Sequence, residues 1–164
     1  SCSDGANEAD ARVPCSFVID LEVRDPSGAY APAAGNAELV LGFQGFKYIY
    51  IRARSAEPPP VRQGAVVVTL DEGRPRSQAF GRLAVTSDGS GFVSDPVRVF
   101  FNDQSLPELV NANCALTLLL GDEICGAQAS GQVILSYNTD CIEGPDGDRV
   151  CPDAGLGADG SLAP

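Results

Sequence analysis

Six cysteines crowd the two ends of this chain and leave its middle empty. Cys2 and Cys15 stand at the front, and Cys114, Cys125, Cys141 and Cys151 in the last third, with none from Ser16 to Asn113. An even number so placed reads as disulfides that staple terminal segments onto a domain folded between them, in an oxidising compartment. A zinc cage is excluded on two grounds. No pair has a close Cys-x-x-Cys type of spacing, and the chain has no histidine to complete a ligand set.

The pairing is only partly legible. Cys141 and Cys151 enclose a Gly/Pro/Asp loop full of turn residues and make the expected local bridge. Cys114 and Cys125 flank the apolar run Ala115–Leu120. An extended strand of that length separates its ends by about 20 Å, whereas a bridge needs Cα atoms within about 7 Å. That pair therefore requires the chain to fold back early through Gly121–Glu123. Cys15 pairs with Cys2, or with one of those two. Cys2 also admits a different fate, as the lipidated cysteine of a bacterial lipoprotein, which would leave five cysteines and one unpaired. With Ser1 retained, all six pair, and that reading is preferred here.

Apolar residues alternate with polar ones in short runs. In Ser16–Arg24, Phe17, Ile19, Leu21 and Val23 lie on one face, and Asp20, Glu22 and Arg24 lie opposite. The strongest run is Phe46–Arg54, with Ile49, Ile51 and Ala53 facing one way and Tyr48, Tyr50, Arg52 and Arg54 the other. Further strands are predicted at Glu38–Phe43, Ala65–Leu70, Gly81–Thr86, Phe92–Phe101, Ala115–Leu120 and Gln132–Tyr137. Ser87-Asp88-Gly89-Ser90 is a hairpin turn, and Leu106–Asn111 forms one helical turn behind Ser105. Seven or eight short strands separated by turns predict an antiparallel β-sandwich. Residues 1–14 read as a tether, 15–138 as the domain, and 139–164 as an acidic, disulfide-looped tail.

Two segments carry the pattern of a known group. LVLGFQGFKYIYIRAR (39–54) and LTLLLGDEICGAQASGQVIL (116–135) resemble small secreted and lipoprotein-type proteins of myxobacteria and their relatives. Those have an immunoglobulin-like β-sandwich, a Gln-Gly turn before an aromatic strand, and a late Asp/Cys-Gly hairpin. The resemblance covers roughly residues 16–137 and implies that fold and an envelope or extracellular location. It implies no activity, and Phe46-Lys47-Tyr48 stands where the group's pattern has a Gly and a His.

Charge and motifs narrow the function. A net charge of −11 argues against nucleic acid, whose binders need a basic face. The charge is also unevenly placed. From residue 138 to 164 six acids face Arg149, a net of −5, while from 44 to 87 seven bases face three acids, a net of +4. No run has the length of a membrane span, so lipidation of Cys2 is the one expected membrane attachment. There is no Ser/His/Asp or Cys/His set, no phosphate-binding glycine loop and no expected cofactor. Paired carboxylates leave a carboxylate-based hydrolase as a remote alternative. Asp140, Glu143, Asp146 and Asp148 offer oxygen ligands for calcium, but without the spacing of an EF-hand they read first as a solvated turn.

Tyr48, Tyr50, Arg52 and Arg54 form either a binding face or a set of stabilising cross-strand pairs. The leading expectation is a non-enzymatic extracellular or cell-surface module that binds or builds, with a protein partner or its own copies. A second expectation is the repeating subunit of an extracellular filament or surface layer, assembled through the terminal segments.

Overall fold

Strict alternation builds the centre of the molecule. Along Asn113–Gly121, Cys114, Leu116, Leu118 and Leu120 are buried, while Asn113, Ala115, Thr117 and Leu119 point outward. Each fully buried leucine contributes about 1.5–3 kcal/mol of burial free energy, and the same rule applied strand by strand sets the rest of the fold.

The computed structural model describes residues 15, 17–42, 45–122 and 125–137, and the backbone of 142–143 and 149–150. The strands are β1 (Asp20–Arg24), β2 (Tyr30–Pro32), β3 (Asn36–Leu41), β4 (Lys47–Ser55), β5 (Gly64–Leu70) and β6 (Arg76–Phe80). There follow β7 (Val85–Ser87), β8 (Phe92–Ser94), β9 (Val97–Phe100), β10 (Asn113–Gly121) and β11 (Gly126–Tyr137). A short helix, α1 (Leu106–Leu109), precedes β10, and a two-stranded pair, β12 (Ile142–Glu143) and β13 (Arg149–Val150), follows β11. The first eleven strands form one sheet in the order β2-β1-β4-β3-β11-β10-β5-β6, with β9 and β8 on β4 and β7 on β8. The sheet curls so that β1, β3, β4, β5, β9, β10 and β11 all contribute to a single core around Ile49, Ile51, Leu116, Leu118 and Leu135.

The all-β expectation holds, but the sheet is mixed rather than purely antiparallel. Residues 36–39 of β3 run parallel to Ile134–Tyr137 of β11, and Val40 and Leu41 then pair antiparallel with β4. A parallel pair needs a long connection; here it is the whole chain between the two strands, so no local turn signal reveals it. The junction is tight. A Cβ on Gly131 would collide with the Cβ and carbonyl oxygen of Ala33, whose carbonyl accepts the Gln132 N–H.

Three local expectations change, the first at Gly81–Thr86, where the strand begins only at Val85. Phe92–Phe101 is not one strand, because Asp95 and Pro96 interrupt it between β8 and β9, both of which pair with β4. Pro96 has no N–H for the ladder, and at this break the Ser94 hydroxyl accepts from Ala53 N at 2.9 Å and donates to the Asp95 carbonyl. Strand β6 was not expected, since RSQAF lacks apolar alternation. Its inward side chains instead reach across the edge of the core. Gln78 accepts from Phe100 N and donates to the Arg98 carbonyl, and Arg76 binds Gln104 and Asp103. The predicted helical turn behind Ser105 is present, with Ser105 N donating to Glu108 at 2.7 Å.

The cysteines depart most from expectation. Cys15 bridges Cys125, with Cα atoms 4.8 Å apart and a sequence separation of 110. Cys114 is a correction to the predicted bridges, for it is a free thiol, fully buried in the core. The physical reason is alternation: position 114 belongs to the inward set of β10 and cannot reach a partner outside it. Cys2, Cys141 and Cys151 lie outside the described residues.

Two predictions follow from the packing. Gly131→Ala forces the segment at Ala33, just ahead of β3, away from β11 and should cost about 1–3 kcal/mol in urea unfolding; an unchanged midpoint would contradict the close approach. Burial pushes the Cys114 thiol up from 9.0 to about 12. The unfolded chain then ionises this group first, so the protein loses stability as pH rises above about 9, by about 1.4 kcal/mol per pH unit. Unfolding at pH 8 and pH 10 should show this slope, and Cys114→Ala should remove it.

Candidate functional site: the tyrosine and arginine face

The face of β4 turned away from the core gathers residues from five strands by register. Arg52 sits opposite Glu22, Tyr50 opposite Arg98, and Tyr48 between Val40 and Phe100. Arg24 sits opposite Tyr30 at the far side of β1. Alternation therefore delivers every member to the same side.

Contacts within the face are dense. The Arg24 guanidinium lies 4.1 Å from the centre of the Tyr50 ring, and Arg52 lies 4.2 Å from that of Tyr30. Arg98 stands over both Tyr48 and Tyr50, at 5.2 and 5.6 Å, and its Nε donates to the Tyr50 hydroxyl at 3.1 Å. Such stacking favours Arg over Lys, because the guanidinium is planar and weakly hydrated. Tyr48 meets Tyr50 and Phe100 edge to face, with centroids 5.4 Å apart in each case. Gly42 makes room for this cluster, since a Cβ there would press on the Tyr48 ring at 2.7 Å.

Glu22 anchors the charges. Its two oxygens accept from Arg52 Nε at 2.7 Å and Arg54 Nε at 2.9 Å, and it is only 8% exposed. Arg54 continues the chain to Asp88 at 2.7 Å, in the turn between β7 and β8. That bond to Asp88, and then the one to Glu22, raises the pKa of Arg54. The Arg54 guanidinium, helped by the Ser90 N–H, holds the Asp88 carboxyl well below the usual carboxylate range. Asp88 is at the solvent-exposed rim, so water and salt screen its pair and it adds little to stability. On the other flank, Arg24 pairs with Glu38, a carboxylate that is 2% exposed.

All four predicted residues, Tyr48, Tyr50, Arg52 and Arg54, lie together on this face. The tyrosine rings are buried, at 4% for Tyr48 and 8% for Tyr50. The arginines fold over them. What the face presents to solvent is guanidinium edges, together with Phe46 and Phe100 at one end, 45% and 37% exposed and 6.1 Å apart. Sequence reasoning set Glu22 and Arg24 opposite the apolar side of β1 but did not connect them to β4. It missed Tyr30, Glu38, Asp88 and Arg98, which no local period joins to that strand.

Other predicted sites fare differently. Asp140, Asp146 and Asp148 lie outside the described residues, and only the backbone of Glu143 is described, paired with Arg149. Among the described residues no cluster of acids or cysteines could hold a metal ion. A surface depression of about 660 Å³ lies beside the Cys15–Cys125 bridge and is lined by Gly64, Leu120, Asp122, Cys125 and Gln128. No protein-family model matches the chain, and no curated protein matches it.

Removing the anchor tests the network. Glu22→Ala leaves Arg52 without its carboxylate and Arg54 with only the exposed Asp88, and should cost about 1–3 kcal/mol in urea unfolding. A loss of a few tenths would show that water already satisfies both guanidiniums.

Proposed function

We propose that the chain is a non-enzymatic extracellular or cell-surface module, an immunoglobulin-like β-sandwich that works by binding or by building structure. The observation that carries this reading is the Cys15–Cys125 bridge, which ties the chain just ahead of β1 to the β10–β11 hairpin. Such a bond persists in oxidising compartments. It closes a loop that spans most of the described chain, around a core that is already extensive. Among the described residues no helix is long and apolar enough to cross a membrane. The sandwich class is supported by two halves of one curled sheet sharing a core, with β3 passing from one half to the other. The resemblance to small secreted proteins of myxobacteria agrees with this class. The binding surface we favour is the guanidinium edge of Arg52 and Arg54 with Phe46 and Phe100, since Arg and aromatic groups dominate recognition surfaces. A carboxylate-based hydrolase is the weaker alternative.

A repeating subunit of a filament or surface layer is the second reading, motivated by the acidic tail and the basic centre. Part of that basic charge is already engaged, because Arg52, Arg54 and Arg76 form ion pairs within the domain. Attachment at Cys2 gains support from arithmetic. With Cys114 free and Cys15 joined to Cys125, three cysteines remain, so one of Cys2, Cys141 and Cys151 has no partner within this sequence. Ile142 pairs with Val150, and Cys141 and Cys151 are the next residues outward in sequence. We therefore assign the bridge to those two and leave Cys2 for a diacylglyceryl thioether.

Peptide mapping of native material without reduction decides these points. The expected result is a linked Cys15–Cys125 peptide, a linked Cys141–Cys151 peptide and a lipid mass on Cys2. Cys15 and Cys125 recovered as thiols would remove the extracellular reading. Cys2 recovered in a bridge would remove the lipid anchor alone.

A further inference from the structure

The β3 flank of the arginine face is covered more fully than a sheet surface turned to solvent would be. Glu38 and Val40 alternate along β3 with Ala37 and Leu39 of the main core, so they stand on the side turned away from it. They are nevertheless only 2% and 7% exposed. Val40 belongs to a second buried cluster with Tyr48 and Tyr50, and Tyr30 packs against it. A side chain on an outward position reaches such values only when something lies over it. The cation–ring contacts cover the tyrosines, which leaves β3 itself to another element. Arg24, Tyr30, Glu38, Tyr48, Tyr50 and Arg98 also make contacts beyond those named above.

We propose that the cover is this chain's own β12–β13 hairpin, seated on the outward side of β3. Backbone placement points there first. β12 lies against β3 with Cα atoms within 8 Å, yet among the described residues β12 and β13 form a sheet of their own with no ladder to β3. A straight run onward from Tyr137, which stands opposite Leu39, would carry Ile142 level with position 44, about 10 Å past the end of β3. The chain therefore folds back onto β3. The inward side of that strand is filled by the main core, so the outward side receives the hairpin. Chemistry favours the same seat. Ile142 is opposite Val150 and Glu143 opposite Arg149, which gives the pair one apolar and one charged face. A two-stranded hairpin this short is not stable alone and has to pack on something, and Val40, Tyr30 and Tyr48 offer apolar ground. Residues 140–148 carry four carboxylates. Arg24 and Arg98 have five N–H donors each, enough to hold a carboxylate as well as Glu38 and the Tyr50 hydroxyl. Seated there, the hairpin closes one flank and leaves Arg52, Arg54, Phe46 and Phe100 as the open part of the face.

The cover stands whether or not that open part binds a partner, and its test involves no partner. Tyrosine fluorescence reads it, because the chain has no tryptophan and three of its four tyrosines belong to this cluster. The full wild-type chain should resist quenching by acrylamide equally at low and high protein concentration. Ile142→Asp and Val150→Asp, each checked for native circular dichroism, set a charge on the apolar side of the hairpin and should raise quenching several-fold. The two sites guard against misfolding of either variant, and Ile142→Leu should keep the wild-type value. In heteronuclear NMR spectra of the aspartate variants, the amide signals of Glu38, Val40 and Tyr48 should move, while those of Leu116 and Leu118 in the main core stay. Folded aspartate variants with wild-type quenching or unmoved β3 amides overturn the proposal. Protection that is lost on dilution overturns it too, since the cover would then belong to a neighbouring copy, as the filament reading would have it.

Discussion

The pleat of β4 is the constraint on which the rest depends. Its inward residues Ile49, Ile51 and Ala53 lie in the main core, and its outward residues Tyr48 and Tyr50 form a second one. Its two edges hold β1 and β3 on one side and β8 and β9 on the other. A one-residue slip of this strand would exchange the two sets and drive Arg52 and Arg54 into the main core. Register is therefore fixed by chemistry on both faces, a stronger constraint than a strand with one wet face provides. The arginines matter here as covers as much as charges. Their planar heads close over the tyrosine rings, and Glu22 holds two of them in place.

What the sequence made legible is what period two determines. Both faces of β4 were readable from Phe46–Arg54, and the presence of β10, though not its inward set, from the run Ala115–Leu120. The helical turn was readable from Ser105 and Pro107. The parallel pairing of β3 with β11 was not, because it joins segments about a hundred residues apart and leaves no local mark. Strand β6 was hidden for another reason. It is held by Gln78 and Arg76 reaching sideways to backbone and side chains on the far half of the sheet, so it needs no apolar face of its own. The candidate site was half legible. Alternation gave the members on β4, while Tyr30, Arg98 and Asp88 reach the same face only through pairings that span tens of residues.

The two outer sides of the sheet spend charge in opposite ways. On the arginine side, cations and carboxylates neutralise one another over aromatic rings, and the desolvation of Glu22 and Glu38 is offset by paired guanidiniums. On the other side the outward positions of β5, β6, β10 and β11 are uncharged, and Asp71, Glu72 and Asp122 stand at its ends. The net charge of the chain is thus carried by turns, rims and terminal segments rather than by either sheet face. That arrangement keeps a strongly acidic protein soluble at its periphery while leaving both broad faces open to contacts that are not governed by net charge.

Cysteine chemistry follows the same geometry. Cys114 takes an inward position among Leu116, Leu118 and Val133, where it packs as a small apolar group and its thiol resists ionisation. Cys125 stands beyond the outer end of the same strand, in the hairpin turn, where Asp122 accepts its N–H at 2.8 Å and its side chain can reach Cys15. The bridge also acts at a weak point of the sheet. On its side away from β10, β11 has a described ladder partner only at Ile134–Tyr137, where β3 pairs with it. The bridge pins the chain at the open beginning of that edge, and a few residues on Phe17 packs on the core and Ile19 is buried. An unguarded strand edge invites pairing with other chains. The covalent tie therefore protects the place where backbone hydrogen bonds are fewest, and it does so from a cysteine in the turn, outside the alternation of either strand.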